Sequence, residues 1–513
     1  MLIPDILRKT TSHVPHKTAV LLDGVGSMTY GEWEASSNRL ARALVDRGLR
    51  PGERVALLFK SDAALTYLTT YMAIHKAGGV AVPLNPRLSD PEILRTLAHC
   101  EASALCGSGA RTATLDLPLV TDAMRLDGPT LTALASEGDA GEFQVARDPE
   151  DLADILYTSG TTGHPKAVAC THANVTYKGS STLHKLFRKA TFCHAIPLFT
   201  FAGSHAMTLI PLRAGMTSVI QPKFDANRFL ELLAEHRVNL AYAVPSMVLL
   251  MLDAADIRTA SQADLPTRGR EEGGADLNFD ALKLLMYGTA PMPPDAIRRL
   301  ATVFPSTMLV NLYGLTEGGA TVCSLSPMEA QKRPDSIGKP LPPTEVRIVD
   351  DEGQALAPRE HGEILMRSAD VSPRFYYRDE DASAETWTDE GWLRTGDIGF
   401  VDEDGYLYLV DRKKDLIIRG GFNISAPEVE GVLSSHPAVL DAAVVGVSHP
   451  ILGEDIKAFV VRRDGEPVTA DALKAFGAEQ LADYKVPREI AFVDALPRNA
   501  IGKVLKRELR SWA

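Results

Sequence analysis

The chain has few cysteines and no long apolar run. Its five cysteines are scattered through 513 residues, and no two have the spacing of a zinc site. Because an odd, scattered set does not make a disulfide framework either, we expect a reducing, cytoplasmic setting. No apolar run approaches the roughly 20 residues of a membrane-spanning helix. These absences argue against a disulfide-stapled secreted domain, a zinc module and a helical membrane protein. The cysteines are Cys100, Cys106, Cys170, Cys193 and Cys323.

Positive charge is also scarce. The chain has 54 Lys and Arg against 66 Asp and Glu, a formal net charge of −12, so we expect no nucleic-acid partner. The N-terminus lacks the basic and apolar regions of a signal peptide, and the C-terminus carries no lipidation motif. Internal repeats and low-complexity tracts are missing too. We expect a soluble protein without a membrane partner, either a monomer or a homodimer.

Strand and helix patterns alternate through the chain. Apolar runs at residues 19–22, 54–59 and 80–84 predict strands. Residues 65–72 carry apolar side chains at helical spacing, and Asp62 is placed to cap that helix. The same alternation resumes beyond residue 226. Repeated β-α-β units predict the α/β class, with a largely parallel sheet covered by helices.

The length and a change in composition predict the domain organisation. A chain of 513 residues is too long for one core. We predict a large N-terminal domain at residues 1–411, made of layered α/β subdomains and a small β-structured part. Residues 412–513 are predicted to form a small α+β domain. Residues 256–278 are rich in Arg, Glu, Gly and Asp, and we interpret them as a solvated surface insertion rather than a binding element.

A loop rich in hydroxyls follows a predicted strand at residues 151–156. It runs from Tyr157 to Lys166 and contains one serine, three threonines, two glycines and a lysine. Hydroxyls, closely spaced backbone amides and a cation are the groups that bind a polyphosphate. The spacing differs from the Walker pattern, because Lys166 follows a proline and no helix-opening Ser or Thr comes after it. The loop is either a different kind of phosphate loop or a surface turn.

A second candidate segment runs from Tyr313 to Glu317 after the strand-like residues 308–312. It places an aromatic ring, a close-approach glycine, a hydroxyl and a carboxylate at a strand end, where open α/β sheets bind ligands. Tyr313 could stack on a purine, and Glu317 could hold Mg²⁺ among phosphate oxygens. Alone, Glu317 is equally a solvated turn residue.

Three further residues are candidates with weaker individual signals. Asp397 follows a tight turn and could accept both hydroxyls of a ribose, while Arg412 lies at the predicted domain junction. Lys503 lies on a glycine-containing loop near the C-terminus, from which a mobile cation could reach a neighbouring site. Individually, Arg412 is equally an exposed basic hinge, and Lys503 is by composition a solvated lysine.

Taken together and in order, these segments resemble the ANL superfamily of adenylate-forming enzymes. That superfamily includes acyl-CoA synthetases, aryl-CoA ligases, luciferases and the adenylation domains of peptide synthetases. The resemblance spans nearly the whole chain. Its motifs lie at residues 157–166, 288–291, 313–317, 392–397, 411–415, 420–424 and 497–503.

The resemblance implies ATP-dependent activation of an acid as an AMP anhydride, with release of pyrophosphate. The implied catalytic residues are Lys503, Glu317, Thr316 and Lys166. Phosphate contacts are implied for Thr158, Ser159, Gly160, Thr161, Thr162, Gly163, Lys166 and, at the α-phosphate, Thr316. Adenine contacts are implied for Gly288, Thr289, Ala290, Pro291, Tyr313 and Gly314, and ribose contacts for Asp397 and Arg412. Mg²⁺ is implied at Glu317 and Thr161.

The resemblance also implies a second half-reaction in which the C-terminal domain is mobile. This domain rotates about a hinge that matches Lys414, which withdraws Lys503 and brings Gly420 and Gly421 to the site. In most such ligases the second nucleophile is the thiol of coenzyme A. Other members use a carrier-protein thiol or an amine, and a few activate nitrite to diazotise an arylamine. A non-catalytic ATP-binding protein is the remote alternative.

The chain departs from the superfamily pattern beside the acid. Many acyl- and aryl-CoA ligases have a histidine where this chain has Thr200, which supplies neither a cation nor an aromatic ring. Near residues 371–376 the usual glycine before an aromatic pair is missing. Pocket-lining candidates by position suit a small or medium, fairly apolar acid. They are Thr200, Phe201, Val244, Ser246, Tyr287, Gly288 and Thr321.

Overall fold

The structure is a computed structural model in which most of the chain is described. The described residues are 1–115, 120–158, 166–176, 187–263, 277–289, 292, 294–319, 321–325, 327–333, 335–368, 373–413, 415–419, 422–463, 465–499 and 502–512. Within them, residues 256–263, 294–295, 321–322, 327, 330–331 and 423 are described by their backbone alone. None of the helices in these parts has the length and apolar character that a membrane crossing requires.

Strands and helices alternate along most of the chain. The strands are β1 (Thr18–Leu22), β2 (Gly26–Thr29), β3 (Arg54–Leu58), β4 (Val80–Pro83), β5 (Ala102–Gly107), β6 (Arg125–Leu126), β7 (Leu152–Thr158), β8 (Lys166–Thr171), β9 (Thr191–His194), β10 (Thr217–Ile220), β11 (Leu240–Ala243), β12 (Leu284–Gly288), β13 (Met308–Gly314), β14 (Thr321–Leu325), β15 (Ser336–Pro340), β16 (Thr344–Val349), β17 (Gly362–Ser368), β18 (Phe375–Tyr376), β19 (Leu393–Val401), β20 (Leu407–Arg412), β21 (Ile417–Arg419), β22 (Phe422–Ile424), β23 (Val439–His449), β24 (Gly453–Arg462) and β25 (Glu489–Phe492).

The helices cover the sheets, and one of them, α8, has π-helical geometry. They are α1 (Ile3–Thr11), α2 (Tyr30–Asp46), α3 (Ala64–Lys76), α4 (Asp90–Cys100), α5 (Arg111–Thr114), α6 (Gly128–Ser136), α7 (His172–Thr176), α8 (Ala202–Leu209), α9 (Ile210–Ala214), α10 (Ala226–Glu235), α11 (Pro245–Ala263), α12 (Pro294–Val303), α13 (Pro327–Lys332), α14 (Glu380–Thr386), α15 (Ala426–Ser434), α16 (Ala470–Ala478) and α17 (Lys506–Ser511).

Three sheets organise the described part of the chain. One has the order β18-β8-β7-β4-β3-β5-β6, and its strands β7, β4, β3, β5 and β6 are parallel. Another runs β16-β17-β19-β20-β15-β14-β13-β12-β11-β9-β10-β1-β2, with a parallel block from β13 to β1. The third, β22-β21-β24-β23 with β25 beside β24, lies after residue 416 and packs on α15 and α16. This layered arrangement is the α/β architecture that the alternating patterns predict.

Local sequence explains why these elements form. Every residue of β4 is buried, as expected for a strand in a parallel sheet covered on both faces. Helix α2 begins after Thr29, whose hydroxyl accepts the Glu32 N–H at 3.1 Å while the Glu32 carboxylate accepts the Thr29 N–H at 2.8 Å. This reciprocal pair is a capping box.

One local prediction differs from the structure, and a second concerns a segment that is described only in part. Residues Ser61–Ala63 form a 3₁₀ turn before α3, and no side chain caps either element, so the predicted cap by Asp62 is wrong. Residues 256–263 of the predicted surface insertion belong to α11, which ends at Ala263. Residues 264–276 of the insertion lie outside the described residues.

A polar cluster is buried beneath β7. Asp154 is fully buried, and its carboxylate contacts His205 Nε2 at 3.0 Å and His75 Nε2 at 3.5 Å. The Tyr71 hydroxyl donates to Asp154 Oδ2 at 3.0 Å. Burial alone would raise the pKa of Asp154, but the charge of His75 and the hydrogen bond with His205 outweigh it and hold the pKa below its ordinary value. The carboxylate is therefore ionised inside the protein.

Removing this carboxylate should strongly destabilise the fold. Asp154→Ala leaves two histidines and a tyrosine without their buried partner, and we expect a loss of about 3–5 kcal/mol in the free energy of unfolding. Urea denaturation measures it. The control is Asp151→Ala, whose carboxylate is 38% exposed and pairs with Arg147 at 2.9 Å, and which should cost about 1 kcal/mol or less. Equal losses in the two variants would contradict a special role for Asp154.

Candidate active site

The carboxyl ends of several strands meet where the sequence predicts ligand contacts. Strand β7 ends at Thr158, β12 at Gly288 and β13 at Gly314. Strands β12 and β13 are parallel neighbours, and a side chain at Gly288 would collide with the carbonyl oxygen of Leu312. The glycine therefore allows close packing at the strand end, the edge at which open α/β sheets bind ligands.

Asp397 and Arg412 form a pair with Tyr313. Asp397 on β19 lies opposite Arg412 on β20, and Arg412 Nε contacts Asp397 Oδ1 at 3.0 Å. The hydroxyl of Tyr313, from the end of β13, donates to Asp397 Oδ2. Burial and the adjacent carboxylate raise the pKa of Tyr313 well above its ordinary value, so the phenol keeps its proton and acts as the donor. The structure thus brings together three residues that the sequence predicts for nucleoside binding.

Glu317 and Lys166 both contact one aromatic residue, Tyr376. The hydroxyl of Tyr376 donates to Glu317 Oε1 at 3.0 Å. Lys166 Nζ lies over the ring of the same tyrosine, 4.5 Å from its centroid. Lys166 opens β8 and Thr158 closes β7, so the two ends of the predicted phosphate loop are adjacent, with Thr158 Oγ1 contacting Lys166 O at 3.4 Å.

The turn that carries Thr316 is held from the neighbouring segment. Arg374 Nη1 donates to the carbonyl oxygen of Thr316 at 3.0 Å, and Nη2 donates to that of Gly319 at 3.3 Å. Arg374 is only 3% exposed. The main chain at Thr316 is therefore fixed by a buried guanidinium.

The loop of Lys503 lies against the carboxyl end of β11. A Cβ on Gly502 would stand 2.8 Å from Ser246 Oγ and 3.7 Å from Val244 Cγ2. Within the loop, the Lys503 N–H donates to Asn499 Oδ1 at 2.9 Å, and Arg498 pairs with Asp441. A loop from the end of the chain is thus held beside two predicted pocket residues.

The acid-pocket candidates lie in different surroundings. The Thr200 hydroxyl donates to Pro197 O at 2.9 Å and accepts the Gly203 N–H at 3.0 Å, so it secures the first turn of α8. Phe201 is half-buried, with the Arg374 guanidinium 5.2 Å from its ring centroid. Tyr287 is fully buried in the apolar cluster around Phe229 and Leu252, apart from the cluster that holds Val244.

Some predicted residues cannot be placed. Ser159, Gly160, Thr161, Thr162, Gly163, Ala290, Pro291, Lys414, Gly420 and Gly421 lie outside the described residues. The side chain of Thr321 does so as well. Thr289, which follows β12 with a φ of +73°, is exposed.

Sequence reasoning missed Arg374, Tyr376 and His205. Arg374 contacts Thr316 across 58 residues of sequence, and Tyr376 contacts Glu317 across 59. His205 stacks edge-on against Phe201 with 5.4 Å between ring centroids. The missing glycine near residues 371–376 was the one signal that this segment is unusual.

The Glu317 carboxylate offers an oxygen ligand of the kind that fits a magnesium ion shared with ATP. Mg²⁺ prefers a carboxylate or two together with substrate phosphate oxygens. Tyr376 occupies Glu317 Oε1, whereas Oε2 makes no hydrogen bond to another described residue. The carboxylate is thus oriented with one oxygen available.

Known proteins match the chain along nearly its whole length. Residues 7–376 match the AMP-binding enzyme family, and residues 428–503 match the AMP-binding enzyme C-terminal domain. The feruloyl-CoA synthase of an Amycolatopsis species is 37% identical over 501 residues, which cover 97% of this chain and 96% of that protein.

Solved structures agree with these matches. The O-succinylbenzoate coenzyme A synthetase of Bacillus subtilis in complex with AMP is similar at a TM-score of 0.83 and 30% identity, covering 99% of this chain and 98% of that one. The amide bond synthetase of Marinactinospora thermotolerans is similar at a TM-score of 0.82 and 28% identity, covering 99% of each. The chain therefore belongs to the AMP-binding enzyme family of the ANL superfamily and is an AMP-forming ligase of the acid–CoA type.

Proposed function

We propose that this ligase activates an aromatic carboxylic acid, of which ferulate is the first probe, and transfers the acyl group to coenzyme A. The observation that carries the proposal is the position of the Lys503 loop, with Gly502 packed against Ser246 at the carboxyl end of β11. This packing supports a role for the Lys503 cation at the edge where the predicted nucleotide residues lie. A binding protein without chemistry has no use for it.

The first step is limited by charge repulsion, because a carboxylate must approach the α-phosphate of ATP. A carboxylate oxygen attacks the α-phosphorus, the bond to the β-phosphate breaks, and pyrophosphate leaves. Bound Mg²⁺, held at Glu317, supplies charge neutralisation at the phosphates. Lys503 stabilises the negative charge that develops at the α-phosphate, and Lys166 holds the departing pyrophosphate.

The Asp397 pair orients the nucleotide for this attack. Its carboxylate is already held by Arg412 and Tyr313, so it accepts ribose hydroxyls without reorganising. Such preorganisation spares the cost of ordering these groups as the ligand binds. Thr316, whose main chain is fixed by Arg374, contacts the α-phosphate.

The second step needs the Lys503 loop to leave and the C-terminal domain to turn. The coenzyme A sulfur attacks the acyl carbon, AMP leaves, and the thiol proton passes to solvent. At the proposed domain junction, Asp411 accepts the N–H of Ala426, the first residue of α15, at 2.8 Å, beside the N-cap residue Ser425. We place the rotation at Lys414, just beyond this contact.

The acid class is inferred from the pocket and from similarity. Phe201 and Val244 offer apolar surface, and the Thr200 hydroxyl is used by the backbone of α8 rather than turned into the pocket. An aromatic ring suits such a wall. The 37% identity to a feruloyl-CoA synthase supports the same class.

A pyrophosphate-release screen tests the proposal. Ferulate, benzoate, a short fatty acid, 2-succinylbenzoate and nitrite are each incubated with ATP and MgCl₂, with and without coenzyme A or an amine. We expect ferulate to give pyrophosphate, and AMP together with a thioester when coenzyme A is added. Amide formation without thioester would favour the alternative suggested by the similarity to an amide bond synthetase. Release with nitrite and an arylamine would favour a diazotase.

A further inference from the structure

The segment before and within β18 lies against the turn that carries Thr316 and Glu317. Arg374 is buried and reaches two carbonyl oxygens of that turn, those of Thr316 and Gly319, through separate nitrogens. The planar guanidinium reaches the two oxygens from two separate nitrogens, a fixed geometry that a single ammonium does not reproduce. The contact therefore depends on the guanidinium itself.

Gly319 provides the space for this contact. Its φ is +74°, and a Cβ there would lie 2.6 Å from Arg374 Nε. The guanidinium thus packs directly on the main chain of the turn. Position 319 has to remain free of a side chain for the contact to form.

Arg374 has no carboxylate partner among the described residues. None of the ion pairs formed between described residues includes it, and its partners are two carbonyl dipoles and the ring of Phe201 at 5.2 Å. A buried cation is costly unless it is paired, and two carbonyl oxygens compensate it only in part, so an anion bound nearby would stabilise Arg374 further. Both the acid and the phosphates are anions.

Tyr376 holds the other functional group of the turn. It is 6% exposed, its hydroxyl donates to Glu317 Oε1 at 3.0 Å, and its ring lies under Lys166 Nζ at 4.5 Å. The edge of Trp387 packs against the same ring with 5.3 Å between centroids. Tyr376 therefore links the metal-facing carboxylate to the lysine at the end of the phosphate loop.

We propose that Arg374 and Tyr376 are positioning residues that form a clamp on the turn at 315–319, Arg374 fixing the main chain of Thr316 and Tyr376 the carboxylate of Glu317. This inference rests on the proposed function, since it assigns the clamp to MgATP binding and adenylate formation. The clamp orients both groups before ATP arrives. Displacing such groups by about 1 Å can cost a hundredfold in rate.

The test uses two variants in the full-length enzyme, each with a matched control. Arg374→Met is compared with Arg378→Met, because both guanidinium groups lie over an aromatic ring, Phe201 for Arg374 and Tyr377 for Arg378, but Arg378 pairs with the half-exposed Glu101 at 2.6 Å. Tyr376→Phe is compared with Tyr377→Phe, whose ring contacts His99. Ferulate-dependent pyrophosphate–ATP exchange, its MgCl₂ dependence, the calorimetric Kd of MgATP and the melting temperature are measured.

The two clamp variants should fail in different ways. Arg374→Met should lower the maximal exchange rate about a hundredfold and weaken MgATP about tenfold. Tyr376→Phe should raise the MgCl₂ concentration for half-maximal exchange roughly tenfold while keeping the rate at saturating MgCl₂ within about threefold of wild type, because a hydrogen bond to a charged group is lost. The controls should match the wild type in exchange rate, MgCl₂ dependence and MgATP affinity.

Defined outcomes overturn the inference. Wild-type rate, MgCl₂ dependence and MgATP affinity in both clamp variants would overturn it, even if their melting temperatures fell. If Arg374→Met does not fold, Arg374→Lys decides, with a loss of about tenfold or more expected and wild-type exchange contradicting the clamp. If the wild type gives no exchange with ferulate, the proposed acid is wrong, and the MgATP affinities alone decide on the clamp.

Discussion

Replacing Lys503 by alanine should lower acid-dependent pyrophosphate exchange by about 10²–10³-fold. The reason is electrostatic, because a positioned cation is removed from the point where negative charge develops in the transition state. Conversion of supplied feruloyl adenylate and coenzyme A to the thioester should stay within about threefold of wild type, since the loop has left the site by then. Exchange and thioester formation are measured separately on the same preparation.

The contrast between the two half-reactions makes this result specific. Lys474→Ala, in helix α16 of the same C-terminal region, serves as the matched control and should leave both rates unchanged. Unchanged exchange in Lys503→Ala would contradict the assigned role. An equal loss in both half-reactions would show that the lysine acts on folding or on general binding instead.

Replacing Asp397 by asparagine should lower kcat/KM for ATP about a hundredfold. The change removes the charge that accepts the ribose hydroxyls and leaves the half-buried Arg412 without its partner at 3.0 Å. Hydrogen bonds to a charged group contribute about 1.5–3 kcal/mol, and about 2.7 kcal/mol corresponds to a hundredfold. The effect should appear mainly in KM for ATP, because the ribose is bound alike in the ground and transition states.

Asp404→Asn is the control for this prediction. Asp404 lies in the turn between β19 and β20, is 64% exposed and pairs with Arg333, so its loss should leave KM for ATP unchanged. Steady-state kinetics at saturating acid, together with melting temperatures, distinguish binding from folding. A normal KM for ATP in a folded Asp397→Asn enzyme would remove Asp397 from the nucleotide site.

Local patterns were enough to predict many elements of the fold. The apolar runs at residues 54–59 and 80–84 correspond to β3 and β4. Short apolar runs bounded by turn residues are typical of buried strands. The predicted cap at Asp62 failed because the chain makes a 3₁₀ turn there, a choice set by the following helix rather than by one side chain. Sequence gave no signal for the π-helical geometry of α8.

Sequence motifs predicted some of the site residues, but residues that join the site only through tertiary contacts were not predicted. Tyr313, Asp397 and Arg412 come from separate motifs and meet in one network. The contacts of Arg374 and Tyr376 span nearly 60 residues of sequence, so no local pattern reveals them. Side chains alternate along a strand, so Tyr287 and Met286 point to opposite faces of β12. The face on which Tyr287 lies decides whether it can line the predicted pocket.

The buried cluster at Asp154, which matters for stability, is another set of tertiary contacts that local sequence does not reveal. Its partners come from α3 and α8, whereas the sequence pattern alone only places Asp154 within a short predicted strand. A charged residue in such a strand is a conflict unless tertiary partners satisfy it. The structure supplies those partners, so the conflict is resolved.

The most direct test of the central claim is isotope exchange between pyrophosphate and ATP without coenzyme A. With ferulate and MgCl₂, we predict acid-dependent exchange in the absence of any acceptor, followed by one AMP and one thioester per ATP when coenzyme A is added. Release of ADP and phosphate in place of AMP and pyrophosphate would contradict adenylate formation at this site. So would a lack of exchange with every carboxylic acid in the screen.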